Sequence, residues 1–258
     1  SDIDQYHNIY ITGRSLGTGT NFDYATIKYN SAGVQQWAAR YNGTGNYLDF
    51  PYGIKADGSG NVYVTGRSMN KYGNFDYATV KFNTDGVLQW AKRYNAPYND
   101  IDIPKAIAVD DSGNVYVTGE SDGSGSVSDY ATIKYNSSGD SLWVARYNGP
   151  GNNYDFASSL AVDDSGNAYV TGKSNGDYAT IKYNSSGVLL WVQRYNGPGN
   201  GDDGAFSLAV DSSGNVYVTG FSRSGTIYDY ATIKYNSSGV QQWIQRYNGP
   251  GNWYNGAY

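Results

Sequence analysis

Apolar and polar residues alternate along most of this chain in short runs of seven to nine, bounded by clusters of Gly, Asn, Asp and Ser. Residues 156–196 show the pattern clearly. FASSLAVD reads as a first strand, DSGN as a tight turn, and AYVTGKS as a second strand; DYATIKYN reads as a third, NSSG turns the chain, and VLLWVQRYN is the fourth. A period of two sends successive side chains to opposite faces of a sheet, and the β-branched and aromatic residues at these positions suit a pleated surface.

The unit recurs. DYAT begins at Asp23, Asp76, Asp129, Asp177 and Asp229, a Trp follows each Asp by 14 positions (Trp37, Trp90, Trp143, Trp191, Trp243), and an Arg follows each Trp by three. A four-stranded meander repeated about every 50 residues is the pattern of a β-propeller blade, and a single such sheet leaves two partly apolar faces that only neighbouring blades can cover. The expected fold is therefore all-β, a single domain over 1–258. It is a five-bladed β-propeller with four antiparallel strands per blade. Gly256-Ala257-Tyr258 match the start of a first strand and Ile3-Asp4 match its end, so the inner strand of the first blade is expected to be shared by the two termini. Completion of that strand by another copy would instead give head-to-tail assembly.

Composition agrees with strands and turns. Of 258 residues, 34 are Gly and 28 Tyr, and Glu120 is the one glutamate against 22 Asp. The formal charge is -5, and no run of Lys or Arg could track a phosphate backbone, so nucleic acid is not an expected partner. No stretch reaches the roughly 20 apolar residues of a spanning helix, so no membrane insertion is expected. With no Cys and the lone His7 in a turn where the other units have Gly, thiol and triad chemistry lack their material. No catalytic residues, metal or cofactor are expected.

GNVYVTG, with the spaced DYATIKYN and SSGVQQW, resembles the bacterial β-propeller repeat family called SBBP. The likeness runs through all five units, although the family's name refers to seven blades. It implies an exported or cell-surface bacterial protein with no common catalytic activity.

Each repeated motif has two readings. The five Trp are expected to be buried between blades, the alternative being an exposed platform for sugar. The repeated Lys of the third strand and Arg of the fourth are expected to pair between blades with the Asp of DYAT, the alternative being an anion-binding ring. The DSGN turns lack the alternating carboxylates of a calcium loop and read as hairpins. Asn42, Asn136, Asn184 and Asn236 fit the N-glycosylation pattern, the last three within hairpin turns.

The loops from each fourth strand to the next first strand vary while the blades do not. Asp49, Asp102, Asp155 and Asp203 lie there with Tyr47, Tyr98, Tyr154, Trp253 and Tyr254. Carboxylates beside aromatic rings suit a polyol, while Asn, Gly and Asp also simply make turns. The expected function is a non-catalytic interaction or structural scaffold, self-assembling through the split terminal strand into a surface layer or fibre. The other reading is a multivalent carbohydrate-binding propeller, with a protein or glycan partner on the loop face.

Overall fold

The computed structural model describes residues 1–97, 100–123 and 127–250. No helix occurs among them. The strands form five antiparallel sheets of four, each in chain order, as the repeats predict. The first holds β1 (Asp2–Ile3), β2 (Ile9–Leu16), β3 (Phe22–Tyr29) and β4 (Gln35–Tyr41). The second holds β5 (Asp49–Ala56), β6 (Val62–Met69), β7 (Phe75–Phe82) and β8 (Leu88–Tyr94). The third holds β9 (Asp102–Val109), β10 (Val115–Asp122), β11 (Ser128–Tyr135) and β12 (Ser141–Tyr147). The fourth holds β13 (Asp155–Val162), β14 (Ala168–Ser174), β15 (Asp177–Tyr183) and β16 (Leu189–Tyr195). The fifth holds β17 (Asp203–Val210), β18 (Val216–Ser224), β19 (Ile227–Tyr235) and β20 (Gln241–Tyr247). Five sheets of this make are the blades of a β-propeller.

Two compact units divide the chain, Ser1–Ser126 with Ile133–Leu142, and Val127–Thr132 with Trp143–Tyr258. In the first, Tyr10, Tyr24, Ile54, Val62, Val64, Val80 and Phe82 make a core between the first two sheets. In the second, Tyr169, Tyr178, Val216, Val218, Ile233 and Tyr235 do the same between the fourth and fifth. Their packing follows from the repeat. Gly66 pairs across the strands with Ala78, and these two small residues leave a notch into which the Tyr24 hydroxyl of the preceding sheet donates to the Ala78 carbonyl at 3.2 Å. In the second unit Tyr178 does the same to Ala231 at 3.2 Å. The Tyr and Ala of DYAT and the Gly of Thr-Gly are thus one joint.

At the shared-strand position, β1 supplies two residues, with Asp2 opposite Tyr10 and Ile3 opposite Ile9. This is the register that Ala209 and Val210 hold against Tyr217 and Val216 at the end of β17. The C-terminal half of the expected strand, with Trp253 and Tyr254, lies outside the described residues.

The turn from first to second strand is built on one carboxylate. Asp163 Oδ1 accepts the amides of Ser165 and Asn167, while Oδ2 accepts from Asn167 Nδ2 and the Tyr169 hydroxyl. Asp4, Asp57, Asp110 and Asp211 repeat the pattern. Burial pushes the Asp4 and Asp163 carboxyls up, but the hydrogen bonds from the following Asn, Tyr and amides outweigh it and hold both below their ordinary value of 3.8. At Asp211 the Asn215 side chain and amide lead the same depression. Since the folded-state pKa is lowered, the stability these groups add is complete above pH 3.8 and lost as pH falls through the folded value. Asp163→Asn is therefore expected to be less stable than the parent at pH 7, with the gap closing in acid, as read by thermal melts across pH. A constant gap would refute the assignment.

His7 takes the place of Gly in the first of these turns. It is held at φ 62°, where Gly60, Gly113, Gly166 and Gly214 have φ of 74–81°. Left-handed backbone costs a side-chain-bearing residue about 1 kcal/mol, partly offset by the greater freedom of unfolded Gly. His7→Gly is expected to raise the melting temperature by a degree or more. A lower melting temperature would mean that the imidazole makes a compensating contact.

Candidate functional site

The repeated Asp of DYAT meets the repeated Arg of its own sheet. Arg93 Nη2 lies 2.7 Å from Asp76 Oδ2, and the pairs Arg40–Asp23, Arg146–Asp129, Arg194–Asp177 and Arg246–Asp229 span 2.7–3.0 Å. The same guanidinium donates to the Ser two residues beyond Thr-Gly. Arg93 reaches Ser68 Oγ at 2.5 Å and the Ser68 carbonyl at 2.8 Å, and Arg194 reaches Ser174 at 2.6 and 2.7 Å. Arg194 and Arg246 also donate to the hydroxyls of Tyr147 and Tyr195 on the preceding strand-four edge, at 3.3 and 3.1 Å.

This corrects the expected pairing in two ways. The Asp–Arg bridge lies within a sheet, because antiparallel β7 and β8 bring Asp76 and Arg93 to one end of the same hairpin. The Lys is not the partner of that Asp. Its ammonium instead lies over the second-strand Tyr, Lys81 at 5.2 Å from the Tyr63 ring and Lys182 at 4.8 Å from Tyr169.

The candidate carboxylates of the loop face are interior. Asp49, Asp102, Asp155 and Asp203 are 0–1% exposed. Each accepts the backbone amide six residues before it, from Gly43, Ala96, Gly149 and Gly197 at 2.5–2.9 Å. Burial raises the Asp49 carboxyl above its usual range, against the Ser68 hydroxyl and the Gly43 amide, which favour the charge. These four residues close the loop from within and are not presented to solvent. Their partners in the sequence reading are outside: Tyr47 is 38% and Tyr154 56% exposed, with Tyr154 stacked on Phe156 at 5.8 Å and 3°. Tyr98, Trp253 and Tyr254 lie outside the described residues.

The constant part of the loop has its own device, which the sequence reading missed. Asn42 Nδ2 donates to Asn46 Oδ1 at 2.6 Å, Asn148 to Asn152 at 2.7 Å and Asn196 to Asn200 at 3.1 Å. The second Asn sits at φ of 50–60° in each. Two Asn four residues apart, with Gly between them in four of the five loops, were the available signal. Of the glycosylation candidates, Asn42 is exposed in this clamp. Asn136, Asn184 and Asn236 are half-buried, and each accepts two turn amides on Oδ1.

The Trp expectation holds in position, since Trp37 docks on the next sheet, and needs correction in depth. Trp37, Trp90, Trp143 and Trp191 are half-buried, and Trp243 is 38% exposed. The fourth strand is a sheet edge, and the Trp37 indole lies between Tyr10 of its own sheet and Phe82 of the next, with ring centroids 6.3 Å from each. Trp37 Nε1 donates to the Thr84 carbonyl at 2.9 Å, and Trp143 donates to Ser185 at 3.1 Å. Gly86, at φ 78°, lies against the Trp37 ring, where an added Cβ would stand 2.7 Å from Cδ2.

Hollows accompany these elements among the described residues. At the loop end of the second sheet, Thr44, Gly45, Asn70, Lys71 and Tyr72 line about 360 Å³. At the turn end, a polar groove of about 380 Å³ runs between Asp57–Asn61 and Asp110–Gly113 beside Lys81. The second unit has its counterpart, about 540 Å³ between the Asp163 and Asp211 turns beside Lys182.

Known proteins place this architecture. No curated protein sequence matches the chain. Among solved structures, a protein of unknown function from Bacteroides caccae superposes with a TM-score of 0.53 at 12% identity, over 95% of this chain and 81% of that one. Virginiamycin B lyase from Staphylococcus aureus does so with a TM-score of 0.53 at 11% identity, over 92% and 69%. At such identities the likeness is one of fold. The sequence family described as "Beta-propeller repeat" matches residues 36–72, 89–125, 142–179 and 190–224, more than half of the chain. With the same Trp, Arg and Asp holding every sheet, the chain belongs to the SBBP β-propeller repeat family.

Proposed function

We propose that this chain is a non-catalytic propeller module that works outside the cell or at its surface as an interaction scaffold, assembling through its terminal segment, residues 253–258. One observation carries the reading: the repeated polar side chains are spent on turns, hairpins and joints between sheets. Asp163 is committed to four turn donors, Asp49 to its loop amide and Arg93 to Ser68 and Asp76. What varies from unit to unit is the loop surface, and loops on a rigid scaffold are where partners are met. The resemblance to repeats of exported and surface proteins supports the location.

Deleting residues 253–258 is expected to abolish assembly in sedimentation velocity at high concentration. A protein that is monomeric with and without them would remove the assembly role. A second arm tests the strand itself. In sheets two to five the first strand passes over the Gly of Thr-Gly, whereas no described atom lies within 4 Å of a methyl added at Gly13. If residues 253–258, of this or a second copy, complete the first sheet, Gly13→Ala will destabilise as Gly66→Ala does. A harmless Gly13→Ala would sink the shared strand.

The exposed rings of Tyr47 and Tyr154 favour a second reading, a carbohydrate-binding propeller whose loop aromatics stack on sugar. A glycan array and titration of hits against Tyr154→Ala decide it. Absence of binding to any glycan removes it.

A further inference from the structure

The residue after Thr-Gly on the second strand differs between repeats: Arg14, Arg67, Glu120, Lys173 and Phe221. Glu120 is paired with Lys105 at 3.1 Å and Lys173 with Asp202. Arg14 and Arg67 have no carboxylate within ion-pair distance among the described residues, whereas Arg40, Arg93, Arg146, Arg194 and Arg246 all do. Arg223 has none either, but Arg14 and Arg67 stand together.

They share one aromatic ring. The Arg14 guanidinium lies 5.1 Å from the Phe22 centroid and 5.4 Å from Phe50, and Arg67 lies 4.9 Å from Phe50 and 4.3 Å from Phe75. Phe50 is 6.5 Å from Phe22 and 6.0 Å from Phe75, so rings and guanidinium groups alternate in one row. Arg67 Nε is buried without a hydrogen-bond partner. The half-exposed Tyr52 ring closes the row, 5.8 Å from Arg67 and 5.7 Å from the Lys105 ammonium. Ring stacking holds the guanidinium planes in place without consuming their outer N–H groups, which is the arrangement that receives a carboxylate on two parallel hydrogen bonds.

We propose that this row in the first unit binds a carboxylated sugar, an oligomer of uronic acid residues. Arg67 and Arg14 take the carboxylates of neighbouring sugar units, and the exposed part of the Tyr52 ring packs on the apolar face of a pyranose ring. An anion relieves the repulsion between the two cations, and the aromatic ring selects a sugar over a free ion. The site shares no residue with the loop aromatics or the terminal segment, so it stands beyond the reading above.

The test is calorimetric titration of the full chain with trigalacturonate, neutral galactotriose, acetate and sulfate, and of the variants Arg67→Gln, Arg14→Gln and their double. Trigalacturonate is expected to bind at least about tenfold more tightly than the neutral trimer, with each single variant losing about tenfold, the scale of a charge-assisted pair. Added salt is expected to weaken it further. Thermal melts and sedimentation of the variants are expected to match the parent, which separates loss of the site from loss of fold or assembly. Unchanged affinity in the double variant overturns the proposal. So does the absence of trigalacturonate binding at about 10 mM, on the order of 3 kcal/mol of affinity, or equal binding of acetate or sulfate.

Discussion

Gly66→Ala is expected to unfold the second sheet's joint with the first, lowering stability by at least about 3 kcal/mol, more than an ordinary overpacked core methyl. The added Cβ would collide with the Phe50 carbonyl oxygen of β5, stand 2.5 Å from Pro51 Cα and lie 2.6 Å from the Tyr24 hydroxyl. Two of these obstacles are backbone and cannot rotate away. Here β5 is bulged, its register against β6 shifting between Pro51 and Gly53, which presses the chain onto the glycine. The third obstacle is the Tyr24 hydroxyl in its notch, so the substitution also strips the Ala78 carbonyl of a donor in a site closed to water. Gly119, Gly172 and Gly220 meet the same first-strand backbone. Gly58→Ala is the matched control: nothing lies within 4 Å of its Cβ, and its stability is expected to stay within about 0.5 kcal/mol of the parent. Chemical denaturation of both checks the contrast. A Gly66→Ala protein as stable as the control would mean that the notch opens at little cost.

The alternation of residues 156–196 was enough to read every strand of the unit, because each strand must turn one face to a neighbour, and period two is the direct record of that. Strand four was legible as an element but not in its depth. VLLWVQRY looks like an interior strand, yet Val188, Leu189 and Leu190 are 50–57% exposed because β16 is an edge. Periodicity reports which side chains share a face. It does not report whether another sheet covers that face, and the half-open Trp follows from the same gap.

The candidate site was legible by position and not by depth. Twelve residues after Trp37, Trp90, Trp143 and Trp191, an Asp does stand at the mouth of a first strand, but its side chain turns inward to an amide six residues earlier. A loop that folds back on its own carboxylate cannot be told from one that offers it outward without the backbone path. The Arg14–Phe50–Arg67 row escaped for another reason. Its members lie 36 and 17 residues apart in sequence on three strands of two sheets, and only Arg67 and Phe50 are cross-strand partners. Repeat analysis averages over units, whereas this row exists because two units differ from the other three.

Arg93→Ala is expected to cost about 3 kcal/mol, the scale for removing one member of a largely buried pair, and about 6–12 °C in melting temperature for a chain of this size. Asp76 is 4% exposed and would be left charged without its cation, keeping only Asn70 Nδ2 at 3.1 Å on its other oxygen. The Ser68 hydroxyl and carbonyl lose their donors together. Asp49, which already sits above its usual range through burial, loses the positive charge that opposes that shift. One side chain therefore holds the ends of β5, β6 and β7, which explains why Arg recurs three residues after every Trp. Arg93→Lys is expected to restore less than half of the loss, since an ammonium cannot span Ser68 and Asp76 in the plane of a fork. In a double-mutant cycle, adding Asp76→Asn to Arg93→Ala is expected to recover at least about 1 kcal/mol relative to additivity, because the uncompensated charge is what the single variant leaves behind. Additive losses, or a single loss under about 1 kcal/mol, would reduce the bridge to a surface ion pair and leave the ends of β5, β6 and β7 held by their ladder hydrogen bonds.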